Sequence, residues 1–199
     1  MPSSGCGYVV ELNRTLTPRR GACTLLLPLL LAAWAPLHAQ QGTGAPQLLN
    51  VAPVAFQPAN NFAHYIITEG GLGQLCSSRG AGYFVAPLSL EHGAVIERIT
   101  ACVRNANEDG FAMLSLLRRA PEHLELLAVT PVSSGPSKRT SSPHDRPTPE
   151  VQAGRLEMLS SDSITAPVVD NQHYSYLLQA VLTAPKVCLC GAQVTYRKP

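Results

Sequence analysis

Short apolar segments, each bounded by Gly, Pro, Asn or Asp, are the feature that most constrains the fold of this chain. Eight or nine of them occur, and none shows helical periodicity beyond about two turns. Alternation of apolar and polar residues over such lengths is typical of half-buried β-strands. The sequence therefore predicts an all-β fold, an antiparallel, jelly-roll-like β-sandwich of about eight short strands. The segments are Phe62–Thr68, Gly82–Ala86, Ala94–Arg104, Phe111–Arg118, His123–Thr130, Arg155–Ser160, Ser163–Ala166, His173–Thr183 and Val187–Tyr196.

Helix competes with strand in two leucine-rich segments, Phe111–Arg119 and His123–Ala128. Pro121 lies between them, and proline is well suited to the first turn of a helix. The surrounding series of short strands favours a β-hairpin around Pro121 instead.

The N-terminal residues have the pattern of an export leader. The basic pair Arg19–Arg20 precedes an apolar stretch of 14 residues, Ala22–Ala35, and Ala39 supplies a small residue at the expected cleavage point. A helix that spans a bilayer needs about 20 apolar residues, and this stretch also contains Pro28. We therefore expect residues 1–39 to be a signal peptide cleaved after Ala39. The mature protein would be secreted or periplasmic, without a membrane span.

Charge is balanced once the leader is set aside. Of the chain's 15 basic and 13 acidic residues, the leader holds Arg14, Arg19, Arg20 and Glu11, which leaves 12 of each sign. Proteins that bind nucleic acid through its phosphates carry a basic excess. The composition therefore predicts no nucleic-acid partner.

Two segments depart from the strand pattern. Gln40–Asn61 lacks charge and is rich in Gln, Gly, Ala, Pro and Asn, so we expect a linker or an extended arm ahead of a domain that spans residues 62–199. The arm residues able to dock on that domain are Leu48, Leu49, Val51, Val54 and Phe56. Pro131–Glu150 contains five prolines and predicts a mobile loop, either a recognition loop or a tolerated surface insertion.

Cysteine usage predicts disulfides. Cys6 and Cys23 fall in the leader, and four cysteines remain: Cys76, Cys102, Cys188 and Cys190. An even number in an exported chain indicates two disulfides, and the sequence leaves all three connectivities open. Because Cys188 and Cys190 share one face of a strand, we expect each to pair with Cys76 or Cys102. A zinc site is the alternative, but Cys-Leu-Cys lacks the usual knuckle spacing, so no metal or other cofactor is expected.

Four segments carry a resemblance to known proteins: Gly82–Leu88, His92–Ile96, Val169–Tyr176 and Gly191–Tyr196. From about Gly80 to Tyr196 the chain resembles a set of uncharacterised secreted bacterial β-sandwich proteins. Those have an APxxLPxGA turn, a VDNxxYxYxL strand and a terminal GxxxTY strand. The resemblance implies the β-sandwich fold and says nothing about activity. This chain departs from the pattern in its longer Pro131–Glu150 loop and in Glu91, which stands where the pattern has proline.

Catalytic motifs are missing from the sequence. It has no Gly-x-Ser-x-Gly elbow and no His-Glu-x-x-His, and no histidine of the mature chain has a second histidine two or four residues on. The lone acidic pair, Glu108–Asp109, lies in an expected turn, where solvation is favoured over calcium binding. The sequence therefore predicts a non-enzymatic protein.

Two functional hypotheses follow. The first is a binding or structural protein at the cell envelope, with an unknown protein or glycan as partner, and with self-association through a sheet face or through Leu48–Phe56. The alternative is a carbohydrate-binding module that stacks sugar rings on Tyr83, Tyr174 or Tyr176. Tyrosines at this spacing also pack commonly in a core or against a sheet face.

Overall fold

A computed structural model describes residues 44–68, 73–135 and 154–199 of the chain. The expected signal peptide, its cleavage point after Ala39 and most of the Pro131–Glu150 loop lie outside the described residues. Within the described part of the chain, no helix is long and apolar enough to cross a membrane.

Two antiparallel sheets form a β-sandwich, as predicted. Sheet A has the strand order β3-β4-β11-β6-β9, and β1 also pairs with β11; sheet B has the order β2-β5-β10-β7-β8. The described residues hold eleven strands rather than about eight, and one 3-10 turn, Pro53–Ala55. The strands are β1 (Gln47–Val51), β2 (Gln57–Pro58), β3 (His64–Ile67), β4 (Leu75–Arg79), β5 (Gly82–Leu88), β6 (Val95–Asn105), β7 (Ala112–Arg119), β8 (Leu124–Val129), β9 (Arg155–Ser161), β10 (Ser175–Leu182) and β11 (Val187–Arg197).

The leucine-rich segments around Pro121 are strands. β7 and β8 pair as an antiparallel hairpin, with a register shift between Leu116 and Leu117. The hairpin prediction is therefore confirmed and the helical alternative is wrong. Ser163–Ala166, in contrast, forms no strand.

The predicted arm belongs to the sandwich. β1 pairs with β11 in sheet A, and β2 pairs with β5 in sheet B, so this segment crosses from one sheet to the other. Phe56, between the two strands, is 1% exposed, and Val51 is also buried. The sandwich thus begins at Gln47, ahead of the boundary expected at residue 62. Leu48 and Val54, which were expected to dock, are exposed instead.

Inward-facing side chains of both sheets form one core. Residues alternate between the two faces of a strand, so every second side chain of each sheet meets the opposite sheet. Each buried aliphatic or aromatic side chain stabilises the fold by about 1.5–3 kcal/mol relative to exposure. Large members with almost no exposure are Phe56, Leu75, Phe84, Ile96, Ile99, Leu114, Leu116, Leu178, Leu182 and Leu189.

A buried asparagine fixes the connection between the sheets. Asn105 ends β6 in sheet A, and its Nδ2 donates hydrogen bonds to the Gly110 carbonyl (2.7 Å) and to Ser133 Oγ (3.3 Å). Its Oδ1 accepts a hydrogen bond from the Asn107 amide at 2.9 Å. Ser133 Oγ also accepts from the Ala112 amide at 2.8 Å. The first residues of the expected Pro131–Glu150 loop are therefore anchored to the start of β7.

Candidate functional site

The three candidate tyrosines occupy different environments. Tyr176 is 3% exposed, and its hydroxyl accepts a hydrogen bond from the Asp170 amide at 2.9 Å. A ring packed into the core cannot stack on a sugar, so the stacking role proposed for Tyr176 is wrong. Tyr176 is instead a core residue, which was the other interpretation of this tyrosine spacing. Tyr174 is half-buried, and Tyr83 is 44% exposed.

Tyr174 lies at one end of sheet B among charged and imidazole side chains. The Arg118 guanidinium carbon lies 4.3 Å from the centre of its ring, which is cation–π distance. Two histidine rings surround the same tyrosine, His123 edge-on at 6.3 Å and His173 tilted at 6.4 Å between ring centres. Six residues define what we call the Tyr174 cluster: Arg118, His123, Glu125, Asp170, His173 and Tyr174.

Two short side-chain contacts pair four members of the Tyr174 cluster. Arg118 Nε donates to Glu125 Oε2 at 2.7 Å, and this hydrogen bond raises the pKa of Arg118. Asp170 Oδ2 contacts His173 Nδ1 at 2.7 Å, and the hydrogen bond from His173 lowers the pKa of Asp170. Asp170 Oδ1 accepts from the Gln172 amide at 3.0 Å, which forms the side-chain-capped turn expected from the sequence.

Two of the segments that carry the family resemblance meet beside this cluster. Asn171 Nδ2 donates to the Leu90 carbonyl at 2.7 Å, and the Asn171 amide contacts His92 Nδ1 at 3.2 Å. Backbone hydrogen bonds join Gly93 to Val169 at 2.8 Å on the same side. The turn before β6 and the turn before β10 are therefore one structural unit, although about 80 residues separate them in the chain.

Tyr83 lies far from Tyr174. It pairs with Val181 near the end of β10, seven residues beyond Tyr174, so about 23 Å separates the two positions along the strand. The structure thus does not bring the candidate tyrosines together into one platform.

The outer face of sheet B around Tyr83 is apolar. Three rows of paired residues cross it, and none of their side chains is charged. We call this set of residues the sheet B face: Tyr83, Val85 and Pro87 of β5; Leu177, Gln179 and Val181 of β10; Met113, Ser115 and Leu117 of β7; and Leu126 and Val129 of β8. Tyr83, Leu126 and Val129 are 44%, 54% and 43% exposed, whereas Ser115, Leu117 and Val181 in the middle of the face are buried. Exposed apolar side chains grouped on one face of a sheet mark interaction sites.

The outer face of sheet A carries an open pocket of about 440 Å³. Its wall combines two thiols, a thioether and polar groups, and Asn50 Oδ1 accepts a hydrogen bond from Gln193 Nε2 at 2.8 Å on its rim. We call it the sheet A pocket, and it is lined by Asn50, Val51, Ala52, Pro53, Thr100, Cys102, Met158, Cys190, Gly191, Ala192 and Gln193.

The cysteines lie on this same outer face of sheet A. Cys76 and Cys188 face each other across β4 and β11 and form a disulfide, which confirms the expected pairing of Cys188. The structure has this one disulfide among its described residues and not the two expected, because Cys102 and Cys190 are thiols in hydrogen-bond contact with each other. Burial, and after it the neighbouring Cys102, raise the pKa of the Cys190 thiol to about 12, whereas Arg104 opposes the shift. Among the described residues, no three or more His, Cys, Asp or Glu side chains are grouped so that they could hold a metal ion.

Sequence reasoning missed Arg118, His123 and Glu125 as neighbours of Tyr174. Arg118 and Glu125 are brought opposite each other by the register of the β7–β8 hairpin, which includes an irregularity. No local motif encodes that register. The only available signal was the hairpin itself, because paired strands place opposite charges across from each other.

No family model and no curated protein matches this chain. Similar solved structures include the C-terminal CBM6 domain of LamC, a marine laminarinase from Zobellia galactanivorans, at 11% identity and a TM-score of 0.46, covering 75% of this chain and 99% of that one. CsCBM6-3 from Clostridium stercorarium in complex with cellobiose is 13% identical with a TM-score of 0.42, covering 76% and 94%. A family 6 carbohydrate-binding module is 11% identical with a TM-score of 0.43, covering 77% and 94%.

Proposed function

We propose that this protein is an exported, non-catalytic binding module that associates through the sheet B face. The observation that carries the proposal is the run of uncharged, largely apolar side chains across β5, β10, β7 and β8. The partner that fits this surface is a second copy of the chain, which would pair the two faces about a two-fold axis.

Electrostatics supports self-association. Two copies of an uncharged face meet without like-charge repulsion, and the chain after the leader has equal numbers of acidic and basic residues. Three rows about 6.8 Å apart on four strands about 4.8 Å apart give a face of roughly 390 Å². Two such faces bury less than the roughly 1,000 Å² that a stable, specific interface needs. The dimer is therefore expected to be weak and to form only at micromolar or higher concentration.

A matched pair of substitutions tests this proposal. Leu126 and Leu156 are both leucines on edge strands, 54% and 56% exposed, but they belong to opposite sheets. Size-exclusion chromatography with light scattering across a concentration series should show dimer for the unaltered protein and for Leu156→Glu. Leu126→Glu should be monomeric throughout. A monomer at every concentration for the unaltered protein, or a dimer that survives Leu126→Glu, would contradict the proposal.

Export is supported by the leader pattern and by the Cys76–Cys188 disulfide, because such bonds persist in oxidising compartments. N-terminal sequencing of protein recovered from outside the cytoplasm should begin at Gln40. Recovery of the product with its leader intact in the cytosol would overturn this part of the proposal.

Glycan binding at the Tyr174 cluster is the second candidate. It is favoured by a half-buried aromatic ring beside groups that can hydrogen-bond to hydroxyls, namely the exposed His123 and His173 and the half-buried Asp170. Aromatic rings stack on the apolar faces of sugars while such groups fix their orientation.

Glycan-array screening followed by affinity electrophoresis tests this second function. Binding that is lost in Tyr174→Ala and retained in Tyr83→Ala would assign the site to the Tyr174 cluster. The reverse result would move it to the sheet B face, and no retention by any glycan would exclude the function. Circular dichroism of both variants controls for unfolding.

A further inference from the structure

The pairing of β6 with β11 contains one extra residue beside the sheet A pocket. Leu189 pairs with Val103, but the next pair is Gly191 with Cys102, so Cys190 is the additional residue. In a β-bulge, two residues of one strand oppose a single residue of the other. Cys190 and Gly191 therefore both oppose Cys102, and the two thiols make contact.

We propose that Cys102 and Cys190 form a second disulfide in the wall of the sheet A pocket, and that small thiols reduce it before Cys76–Cys188. The central strand β11 would then be covalently joined to two of the three strands that pair with it, to β4 through Cys188 and to β6 through Cys190. Cysteines that meet across paired strands in an exported protein are expected to oxidise.

The oxidation needs a disulfide-containing oxidant, such as oxidised glutathione or a thiol–disulfide oxidoreductase. One cysteine loses its proton and its thiolate attacks the oxidant's S–S bond, releasing the first thiol of the oxidant. The second cysteine then loses its proton and displaces the remaining sulfur, which closes Cys102–Cys190. Two electrons pass to the oxidant, and it leaves as two thiols.

Accessibility distinguishes the two bonds. Cys76 and Cys188 are 5% and 7% exposed, whereas Cys102 and Cys190 are half-buried and line an open pocket. Met158 pairs directly with Cys102 at the pocket wall and is itself 67% exposed, so solvent reaches this side of β6. Disulfides that solvent thiols can approach are the labile ones.

Alkylation mapping tests the proposal on the full chain, with Cys6→Ser and Cys23→Ser to remove the leader thiols. After incubation with oxidised glutathione, neither Cys102 nor Cys190 should be alkylated by iodoacetamide. The tryptic peptides Ile99–Arg104 and Val187–Arg197 should be found linked. Under native conditions in increasing dithiothreitol, Cys102 and Cys190 should then become alkylated at least tenfold faster than Cys76 and Cys188.

The proposal would be overturned if Cys102 and Cys190 were both alkylated in the oxidised sample while Cys76–Cys188 remained intact. Equal or reversed rates of reduction would overturn its second part. The Cys102→Ser variant is the control, because it should leave Cys190 fully alkylated and Cys76–Cys188 unchanged. Selective reduction should also lower the Tm by about 10 °C, since the second bond closes a further loop of about 28 residues.

Discussion

The Arg118 guanidinium lies over the Tyr174 ring, 4.3 Å from the guanidinium carbon to the ring centre, and forms a salt bridge of 2.7 Å with Glu125. Arg118 belongs to β7, Glu125 to β8, and Tyr174 precedes β10. One side chain thus connects the β7–β8 hairpin to the entry of the neighbouring strand. The ring face that Arg118 covers is closed to a ligand.

We expect Arg118 and Glu125 to be energetically coupled. The Arg118 side chain is only 16% exposed, and that of Glu125 is 34% exposed, so solvent screens the pair in part. A double-mutant cycle with Arg118→Met and Glu125→Gln, measured by urea unfolding, should give a coupling free energy of about 1 kcal/mol. Methionine keeps an apolar chain over Tyr174, so the cycle isolates the charge interaction. A coupling within error of zero would show that this pair does not stabilise the fold.

The pKa of Asp170 should depend on His173. The hydrogen bond from His173 is the largest cause that lowers the pKa of this carboxyl below its usual 3.8. A carboxyl with a lowered folded pKa stabilises the protein above the unfolded value, and this stabilisation is lost as pH falls through the folded pKa. Carboxyl ¹³C NMR titration should show the pKa of Asp170 moving up toward 3.8 in His173→Gln.

His92 provides the control for that titration. Its Nδ1 lies 3.8 Å from Asp170 Oδ1, a longer contact than the 2.7 Å one to His173. His92→Gln should therefore move the pKa of Asp170 less than His173→Gln does. Equal shifts in the two variants would mean that general electrostatics, and not the short hydrogen bond, sets this pKa.

The strands that sequence could predict are those with clear alternation. β6 and β10 have an apolar residue at almost every second position, and their burial follows that pattern. β1 and β2 lie in an uncharged segment rich in Gln, Pro and Asn, where local propensity favours a linker. They are strands because β11 and β5 offer pairing edges to them, and Phe56 fills the space between the sheets. Such pairings are set by tertiary structure, which no local pattern records.

The tyrosines show how far the sequence could predict the candidate site. Alternation correctly places Tyr174 and Tyr176 on one face, and the structure identifies that face as the inner one. Tyr176 lies within β10 and is buried, whereas Tyr174 precedes the strand at the end of the sandwich, where the opposite sheet covers it only in part. Sequence gives the shared face but not the depth of each residue within the fold.

Loss of the Asn105 side chain should destabilise the fold. The Asn105→Ala change would remove the partner of the Gly110 carbonyl and of the Asn107 amide at a fully buried position. Leaving buried polar groups without partners costs about 1–3 kcal/mol, and the lost volume adds to it. We expect the free energy of unfolding to fall by about 3 kcal/mol in a urea titration. Asn107→Ala, at a more exposed position, should cost under about 1 kcal/mol; similar losses in both would contradict this account of Asn105.

The buried position of Phe56 predicts that the segment before residue 62 is required for stability. Phe56→Ala would leave a cavity between the sheets, and such changes cost about 3–5 kcal/mol. Val54, two residues earlier in the same segment, is 60% exposed, so Val54→Ala should change the free energy of unfolding by under about 0.5 kcal/mol. Thermal unfolding followed by circular dichroism should give a Tm for Phe56→Ala at least about 8 °C below that of Val54→Ala. Equal Tm values would mean that this segment is a dispensable linker, as its composition alone suggests.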